Sequence, residues 1–185
     1  HLPELCEFLA TKGIKWWDYD YIGYWDDDYC TDIQSVETAL GIARALDMRL
    51  FQQSLTSWTV YPCLEQNPEW VFAETNFTEM GVPFYRADIF RKVLTLLTDY
   101  VYNESEWGID KIMCHYLGHT AHVIHASSIK HMRRESWYDK NNAFAEMEYL
   151  MTDWFPKYMK DKFNKDYKYD DSQETLRAYM KAKGE

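Results

Sequence analysis

Residues 114–131 read C-H-Y-L-G-H-T-A-H-V-I-H-A-S-S-I-K-H and hold five of the six histidines. The spacing of His115, His119, His122 and His125, in steps of four, three and three, constrains the fold more than any other feature. Residues three and four apart share a face on an α-helix, whereas strand neighbours alternate every two. At helical pitch the first three histidines fall within about 60° and all four within about 120°. Met113, Tyr116, Leu117 and Ile124 form the opposite, apolar side. The pattern predicts a helix over 106–134. Gly118 lies inside it at a cost of about 1 kcal/mol relative to alanine, which close approach of another helix usually offsets.

A second helical period follows Thr31 and Gln34, which fit a capping box. Ile33, Val36, Leu40, Ala43, Leu46 and Leu50 recur at three- and four-residue steps. They predict one amphipathic helix from Thr31 to Leu55 that buries Ile33, Val36, Leu40, Ala43 and Leu50. A short helix over 3–12 opens with Pro3 and stops at Gly13. Pro68-Glu69-Trp70 begins a short helical turn, and 74–85 is a loop. Further helices are expected at 86–101, 139–163 and 171–183, with Asp139 and Asp171 as N-caps. Pro156 should kink or divide the second of these. Alternation is nowhere sustained over six residues, and seven Gly with five Pro are few for a chain of short strands. The expected fold is all-α: a compact bundle of five to seven helices in one domain spanning 1–185, with subdomains meeting near 64–86 as the variant.

The four cysteines, Cys6, Cys30, Cys63 and Cys114, are even in number and widely spaced. Two disulfides in an oxidising compartment are expected, Cys6–Cys30 and Cys63–Cys114, because shorter loops close at lower entropic cost. Asn76 and Asn103 begin N-glycosylation sequons, and the chain starts at His1 rather than Met. Together these point to a secreted, extracellular glycoprotein. No apolar run is long enough for a membrane-spanning helix. The formal charge is −10, which disfavours nucleic acid as a partner. Nine acids in residues 1–40 face only Lys12 and Lys15.

Two constellations carry candidate chemistry. The histidine stripe is a metal site built on His115, His119 and His122, a proton-sensitive contact surface, or the polar side of an amphipathic helix. The stretch from Trp16 to Tyr29 packs three Trp, four Tyr and five Asp into fourteen residues. Aromatic faces beside carboxylates suit recognition, and large rings also fill small cores. It half-imitates a calcium loop at Asp18, Asp20, Gly23 and Asp26, but Ile22 and Tyr29 occupy positions that need oxygen ligands. There is no G-x-S-x-G, phosphate loop or dinucleotide fingerprint. The expectation is therefore a protein without catalytic residues, cofactor or bound metal. Its candidate partner surface is Trp16, Trp17, Tyr21, Trp25, His115, His119, His122 and His125.

Tyr29-Cys30 and Cys114-His115-Tyr116 look like eroded cysteine–tyrosine–cysteine motifs. In these, and in its tyrosine-rich character, the chain resembles the bicycle effectors secreted by gall-forming aphids. A complete C-Y-C is absent, so no functional residue carries over. The resemblance implies delivery into a host and binding to an unknown target, with no defined reaction. The leading expectation is a secreted helical effector acting by protein–protein interaction. Metal-dependent chemistry on the stripe and carriage of a small apolar ligand are its rivals.

Overall fold

The computed structural model describes residues 2–57, 59–100, 105–132 and 140–182. It replaces the all-α expectation with a mixed α/β architecture built around a seven-stranded sheet. In chain order the elements are α1 (Leu2–Thr11), β1 (Tyr21–Gly23), β2 (Tyr29–Cys30), α2 (Ile33–Ala45), β3 (Leu50–Leu55), β4 (Trp70–Thr75), β5 (Phe84–Arg86), α3 (Ala87–Asp99), α4 (Ile109–Leu117), β6 (Ala121–His131), α5 (Lys140–Tyr149), α6 (Phe155–Phe163) and β7 (Thr175–Met180). The strands lie in the order β1-β5-β3-β6-β4-β7, with β2 paired to the far end of β6. β3 and β6 run parallel, and the other pairs are antiparallel.

The long Thr31 helix is the first correction. Asp32, not Thr31, caps α2, its carboxylate accepting the Ser35 N–H at 2.8 Å. The helix ends at Ala45, and Asp47 takes a left-handed conformation that turns the chain into β3. The face laid on the sheet is the small one, Ala39 and Ala43, while Ile33 is 70% exposed. Leu50 is buried as expected, but on a strand. Every residue of β3 is buried, which is why it shows no alternation.

The histidine helix is the second correction. α4 stops at Leu117, because Gly118 adopts φ +69°. Gly118 N–H donates to His115 O and His119 N–H to Cys114 O, the bond pair of a Schellman cap. Nothing lies within 4 Å of a Cβ built on Gly118, so the glycine serves backbone conformation and not helix packing. The chain then extends as β6, locked between β3 and β4. Opposite Gln53 and Ser54 the register jumps from Ile124 to Ser128. This bulge further hides a strand period from the sequence.

The third correction is β7, an edge strand on β4 where 171–183 was expected to be helical. The fourth concerns the cysteines, which are all free thiols. Cys63 is buried beside Leu64, Phe77 and Val82, while Cys114 packs against a different cluster with Ile112 and Met113. Cys30 sits exposed on β2 opposite Lys130, and Cys6 packs on the α3 side.

Other expectations match. α1 runs Leu2–Thr11 before Gly13 at φ +82°, and α3 fills most of 86–101. Asn67 to Trp70 form a turn, which continues as a strand. A π-helical turn, Leu150–Trp154, divides α5 from α6 just before Pro156. Asp139 lies outside the described residues. The main core lies between the sheet and α3, α4 and α6, around Leu50, Tyr85, Phe90, Ile112 and Phe155. α2 covers Phe51, Phe84 and Ile124 on the other face. Among the described residues no helix is long and apolar enough to cross a membrane.

Candidate functional site

Ending α4 at Gly118 scatters the histidine stripe. His115 is exposed on the last turn of α4, its ring edge-on to Tyr167 with centroids 5.0 Å apart. His119 lies in the turn, with Nδ1 2.9 Å from Thr120 O and Nε2 buried without a partner. His122 is on β6 beside Glu74 of β4 and Phe51 of β3. His125 sits in the bulge and is buried, its Nδ1 accepting the Asn67 N–H at 3.1 Å and its ring edge-on to Trp70. Burial lowers the pKa of His119 and His122, and that of His125 to about 4. These three are neutral imidazoles at neutral pH and do not charge together. The single helical face on which a metal triad was conceivable does not exist. Among the described residues no group of three His, Cys, Asp or Glu is placed to hold a metal ion.

His115 and His119 do meet, in a cleft of about 310 Å³ at the C-terminal end of α4. Lys111 and Cys114 form its α4 wall, and Asn76, Asp170 and Ser172 close it from the opposite side. The last two belong to a strap, residues 165–174, that leads from α6 to β7. Lys111 pairs with Asp171 of the strap, and Tyr167 packs edge-on to Phe155 at 4.7 Å. Burial raises the Cys114 thiol to about 12 and Cys63 to about 11. Neither is a thiolate at neutral pH, so no cysteine–histidine nucleophile forms here.

The aromatic stretch divides between core and surface. Tyr21 stacks edge-on to Phe51, and its hydroxyl donates to Met48 O at 3.0 Å. Trp25 packs on Phe84 and Trp16 on Phe90, both with centroids 5.3 Å apart. Trp17 alone of the four expected contact residues is largely exposed. With Leu5, Phe8, Ile14 and Tyr19 it makes a run of large apolar side chains, each 45–56% exposed, within fifteen residues. α1 and Trp16 both pack on α3, which fixes the two ends of this run on one side of the molecule. The exposure of Leu5 and Phe8 was not expected, because their i, i+3 spacing looks like a core face.

One buried carboxyl group was not legible at all. Glu79 lies between Tyr29, which hydrogen-bonds it, and the Gln52 side chain, whose Oε1 accepts the Glu79 N–H at 2.8 Å. Its Oε2 is buried without a partner, and burial lifts its pKa to about 7. Asp110, also buried, rises to about 6 and adds to the effect. Tyr29 in turn stacks on His131 at 4.5 Å, and His131 Nε2 is 3.1 Å from Asp28 Oδ2. In an acidic chain nothing in the sequence separates Glu79 from solvated acids. Asn103 lies outside the described residues.

No protein-family model, curated protein or solved structure matches the chain.

Proposed function

We propose that this protein acts by binding a protein partner, and that the contact is centred on the segment from Leu5 to Tyr19. The carrying observation is the exposure of Leu5, Phe8, Ile14, Trp17 and Tyr19 on a segment anchored to α3. Exposed apolar clusters of this kind mark interaction surfaces, and tryptophan and tyrosine supply contact area at low entropic cost. Exposed Glu4, Glu7, Asp18 and Asp20 outnumber Lys12 and Lys15 in residues 1–20. The partner surface that fits is apolar with a basic rim. Action outside the producing cell belongs to this reading. It draws on the sequons and the effector-like Tyr29-Cys30 and Cys114-His115-Tyr116 pattern, and the four free thiols lend it nothing.

The test uses three purified chains: wild type, a triple variant Leu5→Glu, Phe8→Glu, Trp17→Ala, and a cleft variant His115→Ala, His119→Ala. Crosslinked partners of the wild type are identified, purified and titrated directly. The patch variant should bind at least tenfold more weakly while keeping its circular dichroism. The cleft variant should bind like wild type, and rising salt should weaken binding. Equal affinity of wild type and patch variant would overturn the reading.

A further inference from the structure

The sequon at Asn76 is built into the fold at both ends. Asn76 Nδ2 donates to Ser172 O at 2.9 Å and reaches Ser172 Oγ at 3.3 Å. Its Oδ1 accepts the Glu174 N–H at 2.7 Å, and its backbone N–H donates to Glu174 O at 3.3 Å. One asparagine therefore holds the strap at the point where it becomes β7. Thr78, the third residue of the sequon, is fully buried and donates its hydroxyl to Gln52 Oε1 at 2.9 Å.

We propose that Asn76 is a modification-sensitive clamp: an N-linked glycan on Asn76 and docking of the 165–174 strap exclude one another. A glycan replaces one of the two Nδ2 hydrogens. Nδ2 lies within hydrogen-bond distance of both Ser172 O and Ser172 Oγ, so a sugar attached to it would crowd the space the strap fills. Transfer also requires the threonine hydroxyl, which the folded chain buries. Glycosylation is thus restricted to the chain before it folds. A chain modified then keeps one Nδ2 hydrogen but carries a sugar where Ser172 packs, so the strap does not seat there. Because Asn76, Asp170 and Ser172 line the histidine cleft, the modified form is one in which His115, His119 and Lys111 are uncovered. This inference is independent of the Leu5–Tyr19 partner surface.

The experiment compares protein made in bacterial cytoplasm with the same chain sent through a eukaryotic secretory pathway. Intact mass separates glycosylated from unmodified molecules, site mapping selects those modified at Asn76, and hydrogen exchange reads the amides of 174–180. Unmodified molecules from both sources should share slow exchange there. Any Asn76-glycosylated molecules should exchange at least tenfold faster over 174–180, with Leu50–Leu55 unchanged. If the secreted product is wholly unmodified at Asn76, the bacterial variant Asn76→Asp decides. Glycan on Asn76 together with bacterial-level protection would overturn the proposal. The bacterial variant Asn76→Asp keeps an acceptor for Glu174 and loses both donors to Ser172. It should also expose 174–180, and unchanged exchange in it would remove the clamp.

Discussion

Leu50 and Phe51 are adjacent on β3 and pack into different halves of the core. Leu50 joins Tyr85, Ile89 and Ala121 on the α3 side of the sheet, and Phe51 stacks on Phe84 at 4.9 Å beneath Ala39 and Ala43 of α2. This back-to-back arrangement makes β3 the centre of the fold. Leu50→Ala should cost about 2–5 kcal/mol and Phe51→Ala about 3–5 kcal/mol, as lost burial plus a cavity. Ile33→Ala, at a position the helical period marks as core, should stay within about 0.5 kcal/mol. Urea denaturation of the three variants checks this, and a costly Ile33 with a cheap Phe51 would restore the long helix.

Gly118 holds the helix-to-strand switch through its left-handed backbone. Gly118→Ala should cost about 1–2 kcal/mol, the penalty for a Cβ in that conformation. Gly118→Asn should cost less, because asparagine tolerates it. Calorimetric melting ranks the variants. A large loss equal for both would point to steric crowding, which the open space around Gly118 does not provide.

Glu79 binds its proton more tightly folded, at about 7, than an ordinary glutamate does, because it is buried. It therefore favours the folded state as pH falls from 8 to 5, and that stabilisation is lost as pH rises through about 7. The swing is on the order of 2 kcal/mol. His125 works in the opposite sense. Burial lowers its pKa to about 4, so its contribution is present above the ordinary histidine value and is lost as pH falls through about 4. The stability gap between wild type and Glu79→Gln should widen in favour of wild type as pH falls from 8 to 5, a range in which Asp110 adds to the rise and His125 begins its loss below the ordinary histidine value. Denaturation midpoints at pH 5, 6, 7 and 8 measure it, and parallel curves for variant and wild type would refute it.

Thiol titration should find four reactive groups in the denatured chain. Under native conditions one, the exposed Cys30, should react quickly. Cys63 and Cys114 should lag by orders of magnitude, since burial keeps both protonated. Fewer than four thiols after denaturation without reductant would bring a disulfide back. Equal native rates for all four would contradict the packing of Cys63.

The elements legible in the sequence are those whose causes are local. Gly13 ends α1, Pro156 divides the last long helix, and the face containing Ile89, Val93, Leu96 and Leu97 specifies α3. The acidic bias of residues 1–40 was also readable there. The histidine steps were misleading because three- and four-residue spacing has no helical meaning once Gly118 turns left-handed and residues 125–127 bulge. β3 carried no alternation because both its faces are covered, and β7 is a strand because β4 offers it an edge. The pairing of Asn76 with Ser172, the burial of Glu79 and the separation of the four cysteines all join residues far apart in the chain. Local propensity fixed where turns and helices begin and end, while long-range strand pairing and burial, which no short window contains, decided the sheet, the cleft and which polar groups lost their water.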